Sequence, residues 1–182
     1  MKKIKLTSRD AIIEAAFNTF NRMPGASLAD VAENAGVGRA TLHRHFSSRQ
    51  ELMVALAEIA QSELRTAVNT ATSGAQSYSE ALELSFSAII PLAGRQWFLS
   101  HEAIDDDHPV STAYHQDIVD LHAAIDAAKA EGSIAADLPT KWIAATYENL
   151  IYAAWMMVRE EELTPAQAMS MAWRSFMKGV SQ

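Results

Sequence analysis

Residues 27–52, SLADVAENAGVGRATLHRHFSSRQEL, hold three helix starts and one enforced stop within 26 positions. Ser27 stands three residues before Asp30, the spacing at which a hydroxyl cap and a carboxylate satisfy the first free N–H groups of a helix. Asn34-Ala35-Gly36 ends that helix, because Gly36 can take the left-handed conformation that closes a helical turn. A second short helix is expected over about 38–46, anchored by Leu42 and Phe46 one turn apart with Val37 beside them. Ser47-Ser48 with Glu51 then opens a third. Two short helices joined by a tight glycine turn cannot bury a core alone. They form the helix-turn-helix, whose second helix can enter a DNA major groove.

The helix before this motif starts at Thr7-Ser8-Arg9-Asp10, again with cap spacing. It runs Ile12, Ile13, Ala16, Phe17 and Phe20 along one face and stops at Met23-Pro24-Gly25. Leu28, Val31 and Ala32 are expected to pack back against it. The fold expected is all-α. An N-terminal three-helix DNA-binding domain over 1–52 carries a larger helical ligand-sensing and dimerisation domain over 53–182.

Charge supports that division. The chain has 182 residues and a net charge of -7, unusual for a DNA binder taken whole. Residues 1–52 carry eight basic and five acidic side chains, a net +3, and residues 53–182 carry seven and seventeen, a net -10. A basic head on an acidic body is expected where only one end meets phosphate. No stretch approaches the ~20 uncharged apolar residues of a membrane span, and no signal-peptide core follows Met1-Lys2-Lys3. With no cysteine, disulfides and thiolate metal sites are excluded and a cytoplasmic location is expected.

The order Ala15-Ala16-Phe17, Phe20, Gly25, Ser27-Leu28, Val31-Ala32, Ala35-Gly36-Val37, Thr41-Leu42, His45-Phe46, Ser48-Arg49 and Leu52 resembles the TetR family of bacterial one-component repressors. The likeness covers about residues 8–55. The sequence departs from the family in a shorter loop between Phe20 and Ser27, in Gly38 where Ser is common, in His43 where a phosphate-contacting Tyr is usual, and in Arg49 where Lys is usual. The resemblance implies a ligand-responsive dimeric repressor, with double-stranded operator DNA and a small-molecule effector as partners.

The residues themselves suggest how each part would act. Arg39, at the start of the second motif helix, can give two hydrogen bonds to guanine. Ala40 and Thr41 are small enough to let that helix approach, and the Thr41 methyl could touch thymine. His43 and Arg44 can reach phosphate or a base edge, whereas His45 is expected to be a half-buried packing residue. Ser27 and Arg49 sit at helix starts, where backbone N–H groups also attract phosphate. Lys2, Lys3 and Lys5 form a basic arm beside the duplex.

Two recognition helices on a two-fold axis reach successive major grooves about 34–36 Å apart, so a homodimer is expected. The last two helices are the candidates. Their expected interface residues are Asn149, Tyr152 and Met156 on one and Met169, Trp173, Phe176 and Met177 on the other. The family, by resemblance, pairs through its last two helices. An effector pocket is expected among the middle helices, from Phe86, Trp97, Phe98, His101, Tyr114, His115, Tyr147 and Trp155.

His101, His108, His115 and His122 recur every seven residues, but ~10.5 Å of helix axis separates successive members, too far to share one metal ion. No metal or cofactor is expected. Asp105-Asp106-Asp107 reads as a solvated turn rather than a catalytic group. No phosphate loop or nucleophile motif is present, so the chain is not expected to be an enzyme. The alternative is a helical enzyme or protein-interaction module whose head does not bind DNA.

Overall fold

The computed structural model describes residues 7–101 and 108–181. Among these the chain is helical throughout, with no strand. The head contains α1 (Ser8–Arg22), α2 (Leu28–Asn34) and α3 (Arg39–His45). The body follows with α4 (Arg49–Thr72), α5 (Tyr78–Ile89), a 3-10 turn (Ile90–Leu92), α6 (Ala93–His101), α7 (Pro109–Ala130), α8 (Thr140–Arg159) and α9 (Pro165–Val180).

Hydroxyl side chains cap five of the described helices, those of α1, α2 and α4 where the sequence places them. Thr7, Ser27 and Thr164 each form a reciprocal capping box, with Asp10, Asp30 and Gln167 respectively. Ser48 and Ser77 cap α4 and α5 through the backbone N–H groups of Glu51 and Glu80. A cap of this kind contributes about 1 kcal/mol to its helix. Gly36 has φ +66, the left-handed value that its turn requires. Pro91 lies inside the 3-10 turn, where the missing N–H breaks the α-helical ladder and redirects the chain from α5 into α6. The basic arm with Lys2, Lys3 and Lys5 and the Asp105–Asp107 turn both fall outside the described residues.

Two apolar clusters form. The first is built on Ile12, Phe17 and Phe20 of α1, Val31 and Ala32 of α2, Leu42 and Phe46, and Leu52, Leu56 and Ala60 of α4. It does not stop at residue 52. Leu64, Phe98, Leu99 and Val110 belong to the same cluster, so the head shares its core with the body. The reason is the length of α4, whose first half closes the head while its second half lines the body. The second cluster joins α5, α7, α8 and α9 through Leu82, Phe86, Ile125, Ile143, Tyr147, Ile151 and Phe176.

The joint between the parts is specific. Phe17 and Phe98 meet edge to face with ring centres 5.3 Å apart. Arg95, on α6, lies 4.1 Å from the Phe17 ring centre and donates to Glu14 of α1 and, at 2.9 Å, to Glu63 of α4. The Asn21 amide donates to the Gly94 carbonyl at 2.9 Å. A β-carbon on Gly94 would come within 3.2 Å of the Asn21 amide nitrogen and would crowd this bond.

Candidate nucleic-acid interface and ligand cavity

On α3, the side chains of Leu42 and Phe46 are buried against the head, so the opposite side is presented to solvent. Arg39, Ala40, His43 and Arg44 are exposed and Thr41 is half-buried. His45 is exposed as well, contrary to the packing role expected for it, because the core beneath α3 is filled by Leu42 and Phe46. Arg44 donates to the Thr41 hydroxyl at 3.2 Å, which braces the long side chain along the helix.

Two of the expected phosphate contacts are already engaged inside the head. The Ser27 hydroxyl donates to Asp30 Oδ2 at 2.8 Å and accepts the Asp30 N–H at 3.3 Å. Those bonds, first the one from the Ser27 backbone N–H, hold the Asp30 carboxyl below its ordinary pKa. Arg49 donates to the carbonyl oxygens of Ala26 and, at 2.7 Å, Pro24, and its guanidinium lies 4.3 Å from the Phe20 ring centre. The sequence treats Arg49 as a free cation at a helix start. In the fold it clamps the short loop between α1 and α2, whose carbonyls have no helical partners and need a donor.

In the body, a cavity of about 520 Å³ opens between α4, α5, α7 and α8, with Gln96 of α6 at one side. Leu64, Val68, Leu82, Ile89, Ile118, Leu121 and Ile151 supply an apolar wall. Polar groups converge on it from Gln61, Arg65 and Asn69 of α4, Tyr114, Asp117 and Asp120 of α7, and Tyr147 and Glu148 of α8. Asp117 accepts from Gln61 and, at 2.5 Å, from Arg65. Tyr147 donates to the Leu82 carbonyl at 2.8 Å. Glu148 forms no salt bridge among the described residues. Burial raises its pKa, and the nearby His122 only partly opposes this. Burial first, then the charges of Glu148 and Asp117, push the Tyr114 phenol up to about 12.

Of the eight aromatic and histidine residues expected to line a pocket, Tyr114 and Tyr147 line this one. Phe86 and Phe98 are instead core residues, Phe86 against Tyr147 and Trp173, Phe98 against Phe17. His115 is exposed on α7 away from the cavity wall. Trp97, His101 and Trp155 belong to an aromatic seam between α6 and α8, where the Trp97 ring stacks on His101 at 3.3 Å and on Tyr152 at 4.1 Å. Large rings fill space before they line it, so most of these residues lie outside the larger cavity, while Trp97 and His101 line a smaller one of about 160 Å³. Gln61, Arg65, Asp117 and Glu148 were missed. The signal was the stripe Gln61, Arg65, Val68 and Thr72, which continues at helical spacing beyond the head core.

The expected dimer residues divide in the same way. Phe176 is fully buried, edge to face with Tyr147 at 5.4 Å, and Trp173 packs on Phe86 and Phe176. Met169 and Met177 pack against the second cluster. Tyr152 is occupied by Trp97 and Met156 is half-buried. Asn149 is exposed, its amide donating to the Ala145 carbonyl one turn back. The apolar stripe of α9 therefore faces its own chain. The uncovered face of α8 carries Trp142, Ala145, Asn149, Ala153 and Met157, and Trp142 is 66% exposed.

The family model described as "Bacterial regulatory proteins, tetR family" matches residues 12–56, from the buried face of α1 to the head end of α4. Residues 12–56 carry the DNA-binding head of the TetR family. The chain is 46% identical over 50 residues to the HTH-type transcriptional repressor LfrR of Mycolicibacterium smegmatis; these are 28% of this chain and 26% of that protein, so the match spans about a quarter of the relative's length. Likeness of fold extends much further. The structure of the TetR-like regulator LfrR in complex with proflavine shares 25% identity at a TM-score of 0.66, over 96% of this chain and 98% of that one. The ketosteroid regulator KstR2 of Mycobacterium tuberculosis reaches a TM-score of 0.75 at 17% identity, over 98% and 97% of the two chains. LfrR and KstR2 are both named as transcriptional regulators. Among the described residues no helix is long and apolar enough to cross a membrane.

Proposed function

We propose that the chain is a homodimeric repressor that reads a palindromic operator through α3 and is released by a small-molecule effector bound in the body cavity. The observation that carries this reading is the exposed face of α3. Arg39, Ala40, His43 and Arg44 stand clear of the head, small residues let the helix approach, and Arg39 leads. A guanidinium there suits guanine O6 and N7, and His43 and Arg44 suit phosphate or a flanking base edge. Ser27 holds the N-terminus of α2, whose unpaired N–H groups favour a phosphate. The basic arm with Lys3 and Lys5 adds charge beside the duplex.

The dimer forms through the uncovered stripe of α8, Trp142, Ala145, Asn149, Ala153 and Met157. Small residues at Ala145 and Ala153 permit two helices to approach closely, and Trp142 has most to gain from cover.

The effector is an amphipathic molecule with a cationic or hydrogen-bond-donating group. The cavity has a broad apolar wall. Against its one arginine stand Asp117, Asp120 and Glu148, and Arg65 is already spent on Asp117. Glu148 is the anchor, because a buried carboxylate without a counter-ion gains most from one. The similar regulator LfrR was solved in complex with proflavine, which supports a small-molecule ligand for this chain. Release requires that the effector favour the conformation with the wrong spacing of the two α3 helices, since a ligand indifferent to conformation shifts nothing.

Mobility shift on a palindrome from the promoter of the chain's own gene tests the reading. A retarded band at low salt, lost steeply as salt rises, is expected from counter-ion release. No binding to that or any randomised duplex at low salt would overturn it.

A further inference from the structure

A second, smaller cavity lies on the seam between head and body, apart from the effector cavity. It holds about 200 Å³ between the C-terminal part of α1, the start of α6 and the end of α8. Its polar wall is Asn18, Asn21 and Arg22 of α1, Arg95 of α6, and Trp155 and Arg159 of α8, and among the described residues no Asp or Glu contributes to it. That composition is the reverse of the body as a whole, which carries a net -10.

The three guanidiniums are not equivalent. Arg95 is neutralised by Glu14 and Glu63, which lie outside the cavity wall. Arg22 has no salt bridge among the described residues, and Arg159 has only a 3.9 Å approach to the adjacent Glu160. Arg159 lies 4.8 Å from the Trp155 ring centre, which holds the planar fork in one orientation. Trp155 Nε1 stands 3.5 Å from the position of a β-carbon on Gly94 and has no hydrogen-bond acceptor among the described residues. The Asn21 amide uses one of its two hydrogens on the Gly94 carbonyl, leaving one. Two charged forks, an indole N–H and two amides line one space, and among the described residues no carboxylate lines it with them.

We propose that this cavity binds a small oxyanion, a dicarboxylate or a phosphate, between Arg22 of the head and Arg159 of the body. Both are planar donors suited to carboxylate and phosphate oxygens. The volume admits a molecule the size of succinate or phosphate and excludes the larger ligands that suit the effector cavity. Because Arg22 sits on α1 and Arg159 on α8, the bound anion ties the reading head to the effector body.

Calorimetric titration of the intact chain with succinate and, separately, with inorganic phosphate at constant ionic strength tests the site, and the two titrations distinguish the source of the anion. Saturable binding with one anion per chain is expected from at least one of them. It should weaken at least tenfold in Arg22→Gln and in Arg159→Gln, and vanish in Asn18→Asp, which places a carboxylate in the wall. Titration with sodium chloride should give no saturable heat. Thermal melting of each variant without anion shows whether it is folded. No saturable binding in the parent, or unchanged binding in the folded Arg22→Gln and Arg159→Gln variants, overturns the proposal. Neither readout involves DNA, so failure here leaves the operator reading standing, and the converse holds.

Discussion

Arg49 offers the clearest separation between a phosphate contact and a structural clamp. Its guanidinium reaches the carbonyls of Pro24 and Ala26 and lies over Phe20, so Arg49→Ala removes two side-chain-to-backbone bonds and one cation–π contact. The site is partly exposed. Each bond is therefore worth about 0.5–1 kcal/mol net, and the ring contact about 0.5–1 kcal/mol. Together the loss is about 2 kcal/mol, or a fall in Tm of about 4–8 °C for a chain of this size. Urea denaturation at fixed protein concentration measures it. Arg49→Lys should recover less than half, because an ammonium cannot span two carbonyls and also lie flat on a ring. The DNA assay then separates the roles. A clamp leaves the slope of log affinity against log salt unchanged, while loss of a phosphate contact lowers it by about 0.9. If Arg49→Ala is as stable as the parent within about 0.5 kcal/mol and the salt slope falls by one contact, the clamp is wrong and Arg49 meets phosphate directly.

Arg39→Ala should flatten sequence preference at one operator position, losing about 1–3 kcal/mol of discrimination there, as read by binding to a set of single-base variants. Trp142→Asp with Met157→Glu should leave the fold intact and give monomers in sedimentation, with operator affinity falling at least tenfold. Phe176→Ala should instead destabilise the chain by about 3–5 kcal/mol, the cost of emptying a buried ring site, because the ring is fully enclosed. Glu148 supplies a pH test. Its folded pKa lies above the ordinary carboxylate value of 4.5, so the folded state holds its proton more tightly. Its charge costs stability as pH rises above that value, and the cost vanishes below it. Glu148→Gln should therefore be more stable than the parent at neutral pH and equal to it near pH 4. The affinity of an organic cation for the parent should rise with pH over the same window.

Local chemistry made the head legible in the sequence. Thr7, Ser27 and Ser48 announce their helices because a cap acts within three residues of itself, and Gly36 marks its turn because backbone sterics leave few substitutes. The exposed side of α3 followed from Leu42 and Phe46 alone, since a seven-residue helix with one buried face has its other face fixed. His45 shows the limit of that rule. Its position between the two faces leaves its burial to the neighbours, and Leu42 and Phe46 already fill the core beneath α3.

The body was legible as helices but not as surfaces. Phe176, Trp173 and Tyr152 belong to apolar stripes that would suit either a core or a partner, and only the packing of α8 on α9 and of α6 on α8 assigns them inward. The cavity depends on residues from helices far apart in the chain, such as Gln61 with Asp117 and Tyr147 with Leu82. The sequence by itself determined where helices begin and end and which face of α3 is free, because those depend on interactions within a few residues. Tertiary structure alone decided which aromatic rings are core, which carboxylates share a cavity, and that Arg49 clamps a loop, because each depends on what a distant segment brings alongside.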